Sequence, residues 1–555
     1  MTNNKILRII PIGGLGEVGK NMTLYEYGNN ILIVDAGIMF PENDMLGIDY
    51  IIPDFEHYLK DKRDLVRGII FTHGHEDHIG AVQHLLEYVN APIYATKLTR
   101  GLLEVKLNRH GMSGKADMRK VNAGDRVQIG PFHVDFFHVC HSIPDGVGLG
   151  IETPAGLVVH TGDYKFDHTP VDNWPTDYAK LAEFAQRGVL ALLADSTNAT
   201  EPGWTPSERT IDKGLDQVFE SAKGRILVAT FASLISRMQQ VAAAAERHGR
   251  KIAFTGRSMV DNMKMARELG YVDFPERLVI SLEQSLSMPD NQVVLMCTGS
   301  QGEPRSIMGR LANGTNRKFD IREGDTIVLS SHPIPGNEEP VYRTINQLFR
   351  RGADVIYEAI APIHVSGHAS QEEIKLLLHL VRPEYLVPIH GELRMLKQHA
   401  KLAQEVGVPE DNLCVVENGQ IIEFVDGKLR LGERIPGDYI FVDGSGVGDV
   451  DRGIMRERES LGQAGIMVVN LAIDKKKGHL KGEPEILTRG FIMPGELETM
   501  LAGLNKHIKK SVQRIMDNQE LSDAAYQDQL MRAVKSFLYQ ETKRNPYIIV
   551  NITRV

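Results

Sequence analysis

"FTHGHEDHIG", Phe71 to Gly80, places three histidines and two acidic residues within six consecutive positions, directly after the apolar run "LVRGII". In an extended loop, residues i and i+2 point the same way, so His73 and His75 can bind one metal ion. Asp77 and His78 lie at the start of the predicted helix "GAVQHLLEYV" and turn toward a second ion. Imidazole and carboxylate ligands suit zinc or manganese. A polar loop with solvated histidines is the alternative, but this spacing between an apolar strand and an amphipathic helix favours a metal site.

The composition is typical of a soluble globular protein. The 555 residues are 42% apolar and 24% charged, enough chain for several domains. We find no apolar stretch as long as a membrane span, and the first residues lack the pattern of a signal peptide. Three widely separated cysteines argue against a disulfide framework or a thiolate zinc cluster, so a cytoplasmic location is expected. The formal charge of -9 does not indicate a nucleic-acid partner, yet a basic groove can lie on an acidic protein.

The order of predicted strands and helices suggests four parts. Strand-rich residues 1–205 and 361–445 would form one split domain, because "EYLVPIHGE" again shows the short apolar, strand-like pattern of the first 200 residues. Alternating strands and helices in 206–360 predict an inserted α/β domain. The Gly/Asp-rich stretch in 446–460 is expected to be a linker, and 461–555 a small α+β domain.

"GLGEVG", Gly14 to Gly19, follows a strand and matches a dinucleotide-binding fingerprint. That fingerprint requires a helix next, whose N-terminus holds a pyrophosphate. Here the following residues predict a β-hairpin. The glycines are therefore expected to shape a tight loop beside the active site.

Two metal ions need more ligands than one motif supplies. Three other apolar runs each end in a candidate: His141, Asp163 and His390. Strand ends that share one rim are where functional groups collect. His138 and His160 are rival candidates, ranked lower because each lies within its apolar run, where a hydrogen-bonded core histidine is the simpler interpretation.

These seven residues resemble the ligands of the metallo-β-lactamase fold, an αββα sandwich. Asp35, in "LIVDAG", resembles the aspartate that orients that cluster from outside it. The resemblance implies two divalent ions, zinc or manganese with magnesium also open, that activate a water as nucleophile. The implied ligands are His73, His75 and His141 for ion one, Asp77, His78 and His390 for ion two, and Asp163 bridging both.

Later motifs resemble the β-CASP nucleases, in which an inserted α/β domain clamps nucleic acid over the metals. Asp195, His368 and His390 follow the order of that family's motifs A, B and C. The resemblance implies that Asp195 pairs with His368 and that the pair protonates the leaving 3′ oxygen. Taken singly, Asp195 could be a helix N-cap and His368 could make a loop hydrogen bond.

Across the whole chain, "GGLGEVGKN", "HSIPD", "HTGDYKFD", "HVSGHAS" and "PIHGE" resemble the bacterial ribonuclease J family. The resemblance implies 5′→3′ exonuclease and endonuclease activity on RNA, in messenger decay and ribosomal RNA maturation. It implies a homodimer or homotetramer, and partners associated with RNA degradation or the ribosome. It also implies one further structural cation, calcium or manganese, near Asp49 and Asp443.

Two loops are candidates for binding the RNA 5′ end. "HVSGHAS" offers small residues and donors that would accept a 5′-monophosphate more readily than a triphosphate. "TFASLISR" is the matching loop on the inserted domain, with Arg237 as a further donor, but Leu234 replaces an asparagine common in the family. The candidate substrate-binding residues are Ser233, Leu234, Ile235, His364, Val365, Ser366, Gly367 and His368.

Two other functions compete with a nuclease. A metallohydrolase for a small ester would need neither motif B nor the insertion. A non-catalytic, RNA-binding paralogue that stabilises a partner nuclease would be expected to have lost metal ligands, and all seven candidates are present.

Overall fold

The structure, a computed structural model, describes residues 6–42, 44–474, 479–492, 494–516 and 523–555. Within them the chain forms two compact units, 6–40 with 51–440 and 41–50 with 441–555. Among the described helices, none is long and apolar enough to cross a lipid bilayer.

The chain up to residue 205 is rich in strands. Its elements are β1 (Leu7–Gly13), β2 (Leu15–Gly16), β3 (Met22–Tyr27), β4 (Asn30–Val34), β5 (Tyr50–Pro53), α1 (Phe55–Leu59), β6 (Val66–Ile70), α2 (Glu76–Ile79), α3 (Val82–Tyr88), β7 (Ile93–Ala95), α4 (Lys97–Arg109), β8 (Met118–Lys120), β9 (Arg126–Ile129), β10 (Phe132–His138), β11 (Val147–Thr153), β12 (Gly156–His160), α5 (Tyr178–Arg187) and β13 (Val189–Asp195). The helix predicted over Gly80 to Val89 is α3, and a separate short helix, α2, precedes it and contains Asp77 and His78.

Strands and helices alternate in the next segment. Its elements are α6 (Thr210–Ser221), β14 (Ile226–Ala229), α7 (Ile235–Arg247), β15 (Lys251–Phe254), α8 (Arg257–Glu268), α9 (Leu282–Leu286), β16 (Val293–Cys297), α10 (Ile307–Ala312), β17 (Thr326–Leu329), α11 (Glu338–Arg350) and β18 (Asp354–Ile356). The five strands form one parallel sheet in the order β15-β16-β14-β17-β18, with almost every strand residue buried, as expected for a sheet covered by helices on both faces.

The chain then returns to the first domain. The elements from 361 to 440 and beyond are α12 (Gln371–Val381), β19 (Tyr385–Ile389), β20 (Gly391–Glu392), α13 (Leu393–Glu405), β21 (Gln420–Val425), β22 (Lys428–Arg434), β23 (Tyr439–Asp443), β24 (Gly446–Val447), α14 (Arg452–Ala464), β25 (Ile466–Ile473), β26 (Glu485–Arg489), α15 (Pro494–Met516), α16 (Asp523–Thr542) and β27 (Tyr547–Arg554). β21 and β22 complete an eight-stranded sheet, β22-β21-β1-β3-β4-β6-β7-β8, and β19 completes a six-stranded one, β19-β13-β12-β11-β10-β9.

The two large sheets face each other across a shared apolar core. Leu32 and Ile70 from one sheet and Phe136 and Leu193 from the other belong to the same buried cluster. The opposite face of the six-stranded sheet packs on α5, α12 and α13. In the eight-stranded sheet, β4, β6, β7 and β8 are parallel. The helices that connect these strands therefore lie on the outer face of that sheet. This arrangement is the predicted αββα sandwich with an inserted α/β domain.

The second unit is built on a three-stranded sheet, β26-β25-β27. Alternate residues of β25 are buried, and α15 and α16 pack on that face. The stretch expected to be a linker, 446–460, contains β24 and the start of α14, which Asp451 caps through Ile454 N. Its role as a linker stays a prediction.

Candidate metal centre and active site

The seven candidate metal ligands and Asp195 meet at one rim of the sandwich, and several of them lie at or just after the end of a buried strand. His73 comes after β6, Asp163 after β12 and His390 after β19. Asp195 ends β13, all seven residues of which are buried. Neighbouring strands that end at one edge bring residues distant in sequence together.

The first group contains His73, His75, His141 and Asp163, whose candidate ligand atoms all lie within 4.8 Å of one another. His75 Nδ1 is 3.2 Å from His73 Nε2 and 3.1 Å from His141 Nε2. Asp163 Oδ2 is 3.6 Å from both of those Nε2 atoms. Three imidazoles and one carboxylate arranged in this way form a typical zinc or manganese donor set.

The second group shares Asp163 and adds Asp77, His78 and His390. His78 Nε2 is 3.2 Å from Asp163 Oδ2, and His390 Nε2 is 3.4 Å from Asp163 Oδ1. His390 Nε2 also lies 3.3 Å from Asp77 Oδ2. The Asp163 carboxylate thus faces both groups, as expected for a bridging ligand.

The protein atoms at this centre fit divalent cations. Asp163 is 3% exposed, yet its Oδ1 atom accepts no hydrogen bond from any described residue. Burying a carboxylate oxygen without a partner is costly, and a cation would compensate for it. Burial lowers the pKa of His75 to about 4 and that of His73 and His141 well below the usual range, so these imidazoles are neutral and can donate lone pairs.

The carboxylates of the second group favour positive charge on its imidazoles. Burial lowers the pKa of His390, but the Asp163 carboxylate and the Asp77 hydrogen bond outweigh it and raise that pKa to about 9. The pKa of His78 is likewise raised, because Asp163, Asp77 and Asp35 together outweigh its burial. The field of these carboxylates therefore favours positive charge at this point.

Outer residues orient the candidate ligands. Asp35 Oδ2 is 2.8 Å from His78 Nδ1 and accepts a hydrogen bond from Thr72 Oγ1, as the sequence resemblance implied. His141 Nδ1 lies 2.7 Å from the carbonyl oxygen of Gly367, which leaves Nε2 facing the centre. Asp35 and His390 have φ angles of 63° and 52°, a left-handed conformation that such residues adopt only when the surrounding structure enforces it.

Asp195 and His368 form a pair beside the metal groups. His368 Nδ1 is 2.7 Å from Asp195 Oδ2, and the side chain of His368 is 20% exposed while that of Asp195 is buried. Burial lowers the pKa of His368, but the Asp195 carboxylate outweighs burial and raises that pKa above its ordinary value. The imidazole is therefore held in one orientation by the contact between its Nδ1 and Asp195.

Thr197 and Asn198 are contributors that sequence reasoning missed. Thr197 Oγ1 lies 2.7 Å from His390 Nδ1 and donates to Asp195 Oδ1, so it links motifs A and C. Asn198 donates to Ser366 Oγ and to the His368 carbonyl. Both residues directly follow Asp195 in "DSTN", where the sequence analysis assigns a role to Asp195 alone.

The loop 364–370 lies against the centre. Gly367 is required there, because a Cβ atom would be 2.5 Å from the His141 ring. Val365 is buried, and Nδ1 of His364 has no hydrogen-bond partner among the described residues. Ser370 is instead the N-cap of α12, with a capping box that includes Glu373, so its hydroxyl has a structural role.

The loop on the inserted domain divides into exposed and buried parts. Ser233 lines a cavity that also borders Gly74, whereas Leu234 is 3% exposed and Ile235 is buried. Arg237 differs from the sequence expectation: its guanidinium is buried and bonds Glu208 at 3.0 Å and the Ile363 carbonyl at 2.9 Å. The Arg237 guanidinium thus links α7 to Glu208 and Ile363, which lie in the segments that connect the two domains.

The rival histidines have structural partners. His160 Nδ1 lies 2.8 Å from the Tyr25 hydroxyl, and the His138 ring stacks on Trp174 with Nδ1 near a backbone carbonyl. The glycine-rich stretch forms β2, which pairs with β20 directly after His390. No helix follows it, in agreement with the expected tight loop.

The proposed structural cation site lies in the second unit. Asp49 Oδ2 accepts a hydrogen bond from Gly444 N at 2.9 Å, and Asp443 forms an ion pair with Arg458 at 2.6 Å. The two residues are thus close in space, and their role as cation ligands stays a prediction.

Comparison with known families covers most of the chain. Residues 15–194 match the metallo-β-lactamase superfamily, and 223–348 match the ribonuclease J β-CASP domain. Residues 352–413 match the Zn-dependent metallo-hydrolase RNA specificity domain, and 453–555 match the ribonuclease J C-terminal domain. The predicted fold class is confirmed.

Curated relatives align along their full lengths. Ribonuclease J2 of Bacillus subtilis is 41% identical over 100% of this chain and 99% of its own. Ribonuclease J of Thermus thermophilus is 41% identical over 98% of this chain and 94% of its own. A solved structure of a protein of unknown function from Enterococcus faecalis, 16% identical, has a TM-score of 0.53 over 75% of this chain and 100% of its own, which supports the fold alone. The chain belongs to the ribonuclease J family of metal-dependent ribonucleases.

Proposed function

We propose that this protein degrades RNA from the 5′ end, one nucleotide at a time, prefers 5′-monophosphate ends and also cleaves internally. The observation that carries the proposal is the Asp195–His368 pair, 2.7 Å apart, beside two groups of metal-ligand candidates and a donor-rich loop. In this proposal the reaction serves messenger decay and ribosomal RNA maturation in the cytoplasm.

The chemistry of the centre follows from its donors. When bound, two divalent ions, zinc or manganese, would supply Lewis-acid activation of water and of the phosphate oxygens. His73, His75 and His141 would hold one ion, Asp77, His78 and His390 the other, and Asp163 both. Asp35, Thr72 and Thr197 keep these ligands oriented.

His368 acts as the general acid. Asp195 fixes Nδ1 of His368, so a proton on Nε2 can pass to the 3′ oxygen as the phosphodiester breaks. Thr197 ties Asp195 to His390, so the acid is fixed relative to the ligands. Such fixed orientation is what general acid catalysis requires.

The loop 364–370 would read the 5′ end. Ser366 Oγ lies between Asn198 Nδ2 and the His368 backbone N–H, and Gly367 lets the loop approach His141 closely. A phosphate anchored here would place the first linkage over the metal groups, which favours release of single nucleotides. Ser233 is the counterpart on the inserted domain.

The assembly is part of the same proposal. We expect a homodimer or homotetramer, partners associated with RNA degradation or the ribosome, and a third, structural cation near Asp49 and Asp443. We also retain the division into a split 1–205 and 361–445 domain, an inserted 206–360 domain and a C-terminal 461–555 domain.

The direct test uses RNA of one sequence in three forms: linear with a 5′-monophosphate, linear with a 5′-triphosphate, and circular. With Mn²⁺, the 5′-labelled monophosphate RNA should release labelled mononucleotide first, faster than the triphosphate RNA. The circular RNA should be cut internally. Equal rates on the two linear forms, with no early mononucleotide, would contradict 5′-end reading.

A further inference from the structure

The inserted domain has a cavity of about 840 Å³ at the carboxyl end of β15, between the start of α8 and α10. Its lining shares no residue with the candidate metal ligands or with the cavity that Ser233 lines. The volume lies within the range of pockets that hold small ligands. The lining includes four cationic side chains: Arg257, Arg310, Arg317 and Lys318. We call this space the cationic cavity.

The topology of the sheet opens a crevice at this position. β15 and β16 are adjacent parallel strands, and α8 follows β15 while α10 follows β16. Met308 and Leu311 of α10 belong to the buried cluster on one face of the sheet. Within the described chain, no buried residue of α8 belongs to that cluster, and α8 packs on α7 instead. The helices after two neighbouring strands thus leave toward opposite faces, which is where open α/β sheets bind their ligands.

The positive charge of the cavity is not neutralised by neighbouring acids. Arg257, Arg317 and Lys318 form no ion pair with any described residue, and all three are exposed. Of the residues that line the cavity, Asp261 alone carries a carboxylate, and it is paired with an arginine of α4 at 2.9 Å. Glu283 lies near Lys318, but it is exposed and outside the lining. The uncompensated charge therefore favours an anionic ligand.

Neutral donors in the same cavity suit a phosphate group. Thr255 is only 4% exposed, and its hydroxyl bonds to no described residue although Thr255 lines the cavity. Helix α8 begins two residues later, and its N-cap, Gly256, has no side chain to accept the first N–H groups of the helix. The hydroxyl and these N–H groups are thus donors that an anion can use, and the positive end of the helix adds to the field of the cations.

Part of the lining is apolar, which a site for phosphate alone would not require. The apolar side chains are those of Phe254, Val260, Leu282 and Ile307. A nucleobase gains free energy when its faces are removed from water against such side chains, whereas inorganic phosphate does not. The combination of cations, donors and apolar surface fits a nucleotide.

We propose that the cationic cavity binds a free nucleoside polyphosphate. Its phosphates would contact Arg257, Arg317, Lys318, the Thr255 hydroxyl and the start of α8, and its base would lie against the apolar lining. Several cations match the multiple negative charges of a polyphosphate better than the charge of a monophosphate. This ligand is distinct from the RNA substrate of the proposed function, because the cavity contains none of the candidate metal ligands or 5′-end residues.

The test measures binding of ribose-labelled fluorescent ATP and GTP analogues, each with a non-hydrolysable β,γ linkage, to the Mn²⁺-loaded, desalted protein. Alanine substitution of both Arg317 and Lys318 should raise the Kd of the bound analogue about tenfold, because two phosphate contacts are lost. Thr255→Val should raise that Kd about threefold without lowering the melting temperature, because the hydroxyl has no partner in the protein. Inorganic triphosphate should displace the analogue less well than the unlabelled nucleoside triphosphate.

The matched control is Lys223→Ala with Arg277→Ala, which also removes one lysine and one arginine from the inserted domain. Lys223 precedes β14, and Arg277 lies by the amino end of β15, where Lys251 donates to its carbonyl. These positions lie at the opposite edge of the sheet, so the Kd of the analogue should match that of the parent protein. Hydrolysis of long RNA should be the same in the parent, the Arg317/Lys318 variant and this control.

Several outcomes would overturn the proposal. Equal Kd values in the Arg317/Lys318 variant and its control would do so, as would the absence of binding of either analogue to the parent. Displacement of the analogue by a short 5′-monophosphate oligonucleotide would place it in the metal centre instead. If inorganic triphosphate binds as tightly as the nucleoside triphosphate, the cavity is an anion site without a place for a base. Slower hydrolysis of long RNA by the double variant, with unchanged nucleotide binding, would assign the cations to RNA. Should the double variant melt at a lower temperature, Arg257→Ala repeats the test.

Discussion

The sandwich and the inserted domain form the two walls of the cavity that Gly74 and Ser233 line, and these walls are built differently. On the sandwich side, most candidate ligands are buried, with His75 and Asp77 partly exposed, and outer hydrogen bonds hold them, as with Asp35 and His78. On the inserted-domain side, the lining is mainly hydroxyls, amides and backbone around Ser233, Ser258 and Thr298. The carboxyl group there, on Glu303, has its pKa raised by burial and does not resemble a metal ligand. In the proposed function, the sandwich wall would perform the chemistry and the inserted-domain wall would hold the substrate.

Asp77→Ala should give the largest loss, because it removes a ligand of the second group from the chemical wall. The Asp77 side chain is about one-third exposed, so alanine should leave the fold intact. Loss of an ion from a two-metal site removes several kcal/mol of transition-state stabilisation, so hydrolysis should fall at least about a thousandfold. A nuclease assay measures the loss of hydrolysis, and calorimetry measures whether the fold is intact. Activity within about tenfold of the unaltered protein would contradict the assignment of the chemistry to the sandwich wall. His78→Ala should also lower hydrolysis, but it removes a hydrogen-bond partner of the buried Asp35 side chain as well.

Arg237→Met should mainly reduce stability, because Arg237 lies on the holding side but is buried. It removes the 3.0 Å partner of the buried Glu208 carboxylate and leaves only Lys165, 3.9 Å away, at a cost of about 3–5 kcal/mol in the free energy of unfolding. Hydrolysis per folded molecule should change little. Urea unfolding measures the cost, and adding Glu208→Gln should recover part of it. A stable Arg237→Met variant with weak RNA binding would instead assign Arg237 to the substrate.

His368→Ala should slow cleavage about 10²–10⁴-fold, the usual range for loss of a general acid, without emptying the metal groups. Asp195→Asn should act in the same direction. The double variant should be little slower than the slower single variant, because the two residues form one unit. Single-turnover rates on the four proteins test this, and additive losses would show that Asp195 and His368 act separately.

Ser366→Val should have the smallest and most selective effect. It blocks the loop proposed to read the 5′ end and removes the acceptor of Asn198. Degradation of linear 5′-monophosphate RNA should fall about tenfold, while cleavage of circular RNA persists. Ser370 is unsuitable for this test because it caps α12, and Ser370→Val provides a control for loss of structure. Equal falls on linear and circular RNA would make the loop a general support of the centre.

The sequence was most informative where function depends on residue type and spacing. The motif from His73 to His78, and the strand ends at Asp163 and His390, predicted a cluster that the fold brings together. Their role as ligands stays a prediction. The insertion was predicted from the alternation of strands and helices, and the sandwich from the resemblance of the ligand motifs to the metallo-β-lactamase fold.

Contacts between distant segments could not be predicted. Arg237 looked like a phosphate ligand because sequence does not show that Glu208 meets it in the interior. Thr197 has no distinctive pattern, and its role depends on β13 and β19 being neighbours.

The central claim is that the chemical wall holds two ions joined by Asp163, and counting them tests it most directly. Plasma mass spectrometry on the purified protein and on Asp77→Ala, both loaded with Mn²⁺ and desalted, measures ions per chain. We predict two tightly held ions in the unaltered protein, and one in the variant together with lost hydrolysis and an unchanged melting temperature. Fewer than two in the unaltered protein, or two in an inactive Asp77→Ala variant, would contradict the account.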